Sequence, residues 1–558
     1  MSRNGINAAG SAFVVLITLL LHCASTAAAA PCFSQLQVLG SHNSYHDVPP
    51  KPIVDLLTSP LAKAVLPPTA FLPQSWEYQH PALASQLEAG IRAFELDIHP
   101  DPTGGLYSTP AMLKFAGVSA KLPDPALGQP GYKVLHVPDI DFSTTCSTLV
   151  ACLTAIKQWS DAHSNHVPIT IILQTSFGET DLVSLLGDAG KLYVETTLAA
   201  STVEGPTKLT VQPEASQELL GSIESEILSV FSPDKIITPD SVRTALNVSP
   251  TADLTKTLLQ APTQTACPWP DLETLRGKVI FGLIFPDQFT ADLYRNLHPG
   301  QKGAVSWMVW DSFYIPEAIM YTAGGGLNLS LEGGVLPPNM PKNASAIVEK
   351  LSRDISEKAK SGYLIRARAD ADTIEARLGY VGRASAVLNS AANIVSTDYG
   401  TPTSILPGIN YSVKLYGNEP ARCVNNAALG TYTGAEVSCA PLATPTAVPL
   451  GGGGGGSAVV ADDISNSNNN NGIESDAANN NSTFSPIIEK TSPGNGSETG
   501  PSGSNSGSAS GSSSSTSDGD IPPSPPPPPP PPSSNAGAAA GVSKRIWLVA
   551  STIAFVLI

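Results

Sequence analysis

The chain has 558 residues, with 47 Asp+Glu against 31 Lys+Arg and a formal charge of -16. This length admits several domains, or one large α/β barrel with tails. The acidic balance argues against nucleic acid as a partner and offers no electrostatic pull toward an anionic membrane.

The chain begins with Arg3, the apolar run AFVVLITLLL over residues 12–21 and the small-residue stretch ASTAAAA. This order reads as a secretory signal over residues 1–30, removed near Ala28 to Ala30. Shortly after it the run LQVL ends in GSHNSYHDVP. Gly40, Ser41, Asn43 and Asp47 suffice to end a strand. They leave His42 and His46 without a folding reason.

Further apolar runs follow: IRAFELDIH at 91, YKVLHV at 132, ITIILQ at 169, KVIFGLI at 278, AVSWMVW at 304, YLIRARA at 363 and ANIVSTD at 392. With the first run they make eight candidate strands. Between several of them lie helix-like stretches such as STLVACLTAIKQWSDAH and NASAIVEKLSRDISEKAKSG, the second closed by a glycine. Continuous apolar strands alternating with helices indicate a parallel sheet covered on both faces, and eight such units predict a (β/α)₈ TIM barrel over residues 31–443. The stretch from Phe177 to Pro270 is long enough for a lid or membrane-contacting surface but carries no distinctive pattern.

From Thr444 the composition changes to GGGGGG, Asn and Ser tracts and PPSPPPPPPPP, which cannot bury a core. Residues 444–535 are therefore expected to be a disordered stalk. The chain ends in small residues, Lys544, Arg545 and the apolar tail IWLVASTIAFVLI, 13 residues long and too short to span a bilayer. This is the pattern of a glycosylphosphatidylinositol attachment signal over 536–558, with Ser534 or Asn535 as the anchor residue. Localisation is expected at the extracellular face of the plasma membrane.

Outside the signal are six cysteines, an even number suited to an oxidising compartment. Local pairing of Cys146 with Cys152 and of Cys423 with Cys439 leaves Cys32 for Cys267. No CxxC pair occurs, which speaks against a zinc site. Sequons at Asn247, Asn328, Asn343, Asn410, Asn480, Asn481 and Asn495 suit a glycosylated surface protein.

In a barrel of this kind the chemistry gathers at the carboxyl ends of the strands. There the sequence places His42 and Asn43, then Glu95 and Asp97 two apart on one face, then His136, Gln174, and the pair Arg366 and Arg368. An amide oxygen and two carboxylates are hard ligands suited to calcium or magnesium. Two histidines from separate strands can serve as base and acid at a phosphorus centre. Arginines can hold a phosphate or its neighbouring hydroxyls. The set describes metal-assisted phosphodiester cleavage. A purely structural account would pair Glu95 and Asp97 with the two arginines, and His99, beside a Pro-Asp-Pro turn, reads as structural.

The ordered blocks GSHNSYH, GIRAFELDIHPD, YKVLHVPDID, WSDAHSNHVPITIIL, WPDLETLRGKVIFGL, GYLIRARADADT and ANIVSTDYG resemble the calcium-dependent phosphatidylinositol-specific phospholipase C family of secreted bacterial and fungal type. The resemblance covers most of residues 32 to 425 and implies a distorted (β/α)₈ barrel. It implies catalytic roles for His42 and His136, calcium as cofactor held by Asn43, Glu95 and Asp97, and a substrate contact from Arg366, with Arg368 beside it. The implied partner is a membrane phosphatidylinositol-type lipid, cleaved to diacylglycerol and a cyclic inositol phosphate, and a monomer is expected. One departure stands out: related enzymes commonly have a glutamate ligand where this chain has Gln174, which adds no charge, so calcium should bind more weakly. Two competing readings are a catalytically degenerate surface binding protein and a glycerophosphodiesterase or sphingomyelinase-D-like barrel. Against the latter, the sequence has no His-Arg-Gly opening.

Overall fold

In chain order the main sheet comprises β1 (Leu36–Ser41), β2 (Ala93–His99), β3 (Lys133–Val134), β4 (Ile169–Thr175), β5 (Val279–Ile284), β6 (Trp307–Trp310), β7 (Met320–Ala323), β8 (Leu364–Arg368), β9 (Ile394–Thr397) and a short edge strand, Ala421–Cys423. This computed structural model describes residues 32–60, 73–260, 267–324, 342–401, 409–415, 419–424 and 457–459. The expected signal, the anchor signal and Cys439 lie outside them, as does the expected stalk apart from 457–459. All strands but β3 and Ala421–Cys423, which pairs antiparallel with β1, pair in parallel, in the order β1-β9-β8-β7-β6-β5-β4-β2, and contact between Gly40 and Ala93 closes the ring. The expected eight-stranded barrel is present.

Its membership differs from expectation at two places. The run YKVLHV contributes only β3, which pairs antiparallel with the end of β2 through Ile98 and His99 and stands outside the ring. A tight hairpin stops it: the Val137 and Asp141 backbones exchange hydrogen bonds at 2.9 Å around Pro138 and Asp139, with Asp139 at φ 71°. The eighth member of the ring is β7, MYTA, which lacks a continuous apolar run.

Closure depends on the absence of a side chain at residue 40. A Cβ there would lie 2.9 Å from Ile394 Cγ2 and 3.0 Å from the Ala93 Cβ, so only glycine lets β1, β2 and β9 meet. Inside the barrel, the lower half is apolar, filled by Val38, Ile172, Val309, Met320, Leu364 and Ile394, with a residual cavity of about 30 Å³ whose lining includes Arg366. The outward faces of the strands pack under helices Leu149–Ala162, Gln217–Val230 and Ala344–Lys360. Two of these are the helices expected from periodicity. The third lies within the segment from Phe177 to Pro270 and buries Leu220, Ile223 and Ile227 in the main core.

Cys32 bonds to Cys267 and Cys146 to Cys152, as expected. Cys423 is disulfide-bonded. Among the described residues no helix is long and apolar enough to cross a membrane.

Candidate active site

At the carboxyl ends of the strands the apolar filling gives way to charge. The chain leaves β1 through His42 and then Asn43, which adopts φ 44°, a left-handed conformation that asparagine tolerates better than most residues. This turn aims both side chains over the barrel mouth.

His42 Nδ1 lies 2.8 Å from Asp398 Oδ1, just past the end of β9, and its Nε2 accepts from Arg368 Nη1 at 2.8 Å. A guanidinium only donates, so the ring proton sits on Nδ1 and Nε2 carries the lone pair. Burial and then the Arg368 charge hold this imidazole well below its ordinary value, outweighing Glu95, so it is neutral. Arg368 is in turn held by Asp398 Oδ2 at 2.9 Å.

Glu95 and Asp97 both point into the barrel from β2 and are almost fully buried. Arg366 Nη2 donates to Glu95 Oε2 and, at 3.2 Å, to Ser396 Oγ. Burial raises the Glu95 carboxyl, but Arg366 and then the other nearby cationic groups override it, leaving it below the usual range. At Asp97 the cationic groups, His136 and then Arg366, do not overcome burial. Burial first and the Glu95 charge second push it up to about 7. Among the described residues Asp97 Oδ1 is buried without a hydrogen-bond partner.

Asn43 closes the oxygen set. Its Nδ2 donates to the Tyr78 hydroxyl at 2.9 Å, which leaves Oδ1 free, and its backbone N–H lies 3.4 Å from Glu95 Oε2. Gln174 pairs in register with Asp97 across β2 and β4, so it stands beside it on the same face. An orphaned buried carboxylate oxygen, an amide turned oxygen-out and two crowded acids fit a hard dication such as calcium.

On the opposite side is His136, beyond β3. Its Nδ1 lies 2.6 Å from Asp141 Oδ2, and Trp76 stands edge-on at 6.0 Å between ring centroids. Burial opposes the charged ring, but the hydrogen bond and charge of Asp141 overcome it, and His136 is pushed up to about 9. Asp141 also meets His46 Nε2 at 3.0 Å and is itself pushed down to about 2; burial opposes this, but the two histidines prevail.

His42, Asn43, Glu95, Asp97 and His136 therefore share one mouth of the barrel, with Gln174 and Arg368 at the same level. Arg366 lies a layer lower, committed to Glu95, and so also matches the ion pairing of the structural account. His99 is structural: its Nε2 donates to the Leu135 carbonyl at 2.9 Å, and Gln212 donates to its Nδ1 at 2.5 Å. Sequence reasoning missed Asp398, Asp141, Tyr78 and His80, whose Nε2 donates to the His42 carbonyl at 2.9 Å. Only Asp398 had a usable signal, as an acid at the end of an apolar run.

Residues 32–311 and 336–425 match the family model described as phosphoinositide phospholipase C, Ca2+-dependent. No curated protein matches the sequence. Similar solved structures include the calcium-dependent phosphoinositol-specific phospholipase C of a Gram-negative Pseudomonas species, 15% identical, covering 72% of this chain and 97% of that one with a TM-score of 0.35. The Ca2+-dependent phosphatidylinositol-specific phospholipase C of Streptomyces antibioticus is 14% identical over 71% and 100% of the two chains, with a TM-score of 0.35. The phosphatidylinositol-specific phospholipase C of Listeria monocytogenes is 14% identical over 66% and 89%, with a TM-score of 0.29.

Proposed function

The chain belongs to the Ca2+-dependent phosphoinositide phospholipase C family, and from this premise we propose that it cleaves phosphatidylinositol to diacylglycerol and a cyclic inositol phosphate. The observation that supports this reading is the pairing, at one mouth, of a neutral histidine whose Nε2 accepts with a histidine that an aspartate holds protonated. His42, neutral with Nε2 as acceptor, takes the proton of the inositol 2-hydroxyl as that oxygen attacks phosphorus. Asp398 fixes the tautomer and steadies the imidazolium that forms. His136, charged on the far side, gives a proton to the departing diacylglycerol oxygen. Water can then open the ring, with the two histidines exchanging roles.

Asn43, Glu95, Asp97 and Gln174 would hold the calcium ion, which when bound lowers the hydroxyl pKa and offsets charge on the phosphoryl oxygens. With that ion present, Asp97 stays ionised near neutral pH despite its raised value. Arg368, whose Nη1 donates to His42 Nε2, is placed to receive a phosphoryl oxygen once His42 turns its lone pair to the hydroxyl. The signal-like start and anchor-like end support work at the outer face of the plasma membrane.

Incubating the purified chain with phosphatidylinositol and calcium should release cyclic inositol phosphate. Choline or ethanolamine release would instead favour a glycerophosphodiesterase or sphingomyelinase-D-like enzyme, and no product a binding protein. A rate that does not respond to calcium up to high millimolar would remove the metal from the mechanism.

A further inference from the structure

We infer that His46, His136 and Asp141 form a binding site for a transition-metal dication of the zinc class, separate from the oxygen-lined calcium position, and that filling it disables His136 as a proton donor. His46 and Asp141 are fully buried, and the His46 ring stacks on Tyr78 at 4.3 Å between centroids. The His46 Nδ1 lies 3.0 Å from the Tyr78 carbonyl oxygen. A carbonyl only accepts, so Nδ1 carries the proton.

The His46 Nε2 faces both Asp141 oxygens, at 3.1 and 3.0 Å. Asp141 Oδ2 also meets His136 Nδ1. The three donor atoms lie within 4.8 Å of one another, and the two imidazole planes cross at 81° with centroids 6.0 Å apart. Two nitrogens and one carboxylate oxygen suit zinc and its neighbours, whereas calcium takes oxygens. Zinc bonds of about 2.0–2.1 Å in a tetrahedron need donors roughly 3.3 Å apart. Asp141 Oδ2, 3.0 Å from His46 Nε2 and 2.6 Å from His136 Nδ1, therefore has to withdraw by less than about 1 Å, while the two nitrogens settle from a separation of at most 4.8 Å.

The carbonyl behind His46 is the outer partner that orients metal-binding histidines. It presents Nε2 before any metal arrives. Entry is from the mouth, where the His136 side chain is 25% exposed. A metal on His136 Nδ1 displaces the proton shared with Asp141, and the ring no longer charges at working pH.

The site itself rests on geometry alone, and only its consequence rests on the phospholipase reading. The test titrates the full-length, metal-stripped chain with CoCl2 and follows the visible ligand-field absorption. We expect one equivalent of cobalt to produce the band, ZnCl2 to displace it, and His46→Gln and Asp141→Asn to lose it. If His46→Gln fails to fold, His136→Ala, altered at a part-exposed ring, must weaken cobalt binding at least about tenfold.

In the cleavage assay, micromolar ZnCl2 at saturating calcium should lower the rate at least about tenfold, and His46→Gln should need roughly a hundredfold more zinc for the same loss. A band that survives in the variants would overturn the inference. So would relief of zinc inhibition by excess calcium, which would place zinc among the oxygens. A chain that forms the band but cleaves no phosphatidylinositol would sink the phospholipase reading and leave the metal site standing.

Discussion

His42 and His136 each have an aspartate on Nδ1, at 2.8 and 2.6 Å, and each sits at the same barrel mouth. They nevertheless differ in charge, His42 being neutral and His136 protonated. An aspartate partner raises a histidine, and around His136 the hydrogen bond and charge of Asp141 together outweigh the opposing burial. Around His42 burial and the Arg368 guanidinium on Nε2 prevail instead. Burial together with the second neighbour, rather than the aspartate alone, decides which ring takes a proton and which gives one.

The largest effects should come from removing the rings. His42→Ala and His136→Ala should each lower the cleavage rate by about 10² to 10⁴, the usual worth of an acid-base group. The substrate can separate the roles. An inositol phosphodiester with a good leaving group, which needs no proton on departure, should restore much of the rate to His136→Ala and little to His42→Ala. Equal rescue of both would break the assignment.

Next in size are shifts of the pH profile. Cleavage needs His42 unprotonated, so it should rise as pH climbs through that group's depressed value. It also needs His136 protonated, so it should fall as pH climbs through about 9. Arg368→Gln removes the cation that opposes His42 charging and should move the acid limb upward by about one pH unit. Asp141→Asn removes the support of His136 and should move the alkaline limb downward by a similar amount, about one unit. A single limb moving in both variants would show that the two histidines titrate as one unit.

The same contrast explains what the sequence reveals. His42, Asn43, Glu95, Asp97, Gln174, Arg366 and Arg368 all fall at or near the ends of apolar runs, where barrel geometry gives polar residues a meaning. Asp398 had the same signal in STD and was passed over. Asp141 and Tyr78 lie on connections whose approach to the mouth depends on tertiary packing, with no local periodicity to announce it. The barrel itself was legible because its strands, buried on both faces, read as unbroken apolar runs. The exceptions follow the same physics: MYTA alternates a half-exposed tyrosine with buried neighbours, and YKVLHV is apolar but stopped by Pro138.

A smaller effect should be seen at Tyr78, which sits between the two halves: its hydroxyl accepts from Asn43 and its ring stacks on His46. Tyr78→Phe keeps the stack and frees the Asn43 amide to turn. The calcium needed for half-maximal rate should rise by several fold, about the cost of one neutral hydrogen bond, with the pH limbs unmoved. A shifted alkaline limb would mean that the stack, rather than the hydroxyl, was disturbed.

The smallest expected change is a gain. Gln174 stands beside Asp97, whose Oδ1 is already an orphaned buried acceptor, and it brings an oxygen without charge. Gln174→Glu would add a third carboxylate to the set. In the absence of metal the added charge should raise Asp97 further, because like charges disfavour ionisation. With calcium present the same charge is an attraction, and affinity in such sites follows the number of charged ligands. Half-maximal calcium should therefore fall by several fold while the maximal rate and the two histidine limbs stay in place. The opposite result, an unchanged calcium requirement, would place residue 174 outside the coordination sphere and confine the metal to Asn43, Glu95 and Asp97.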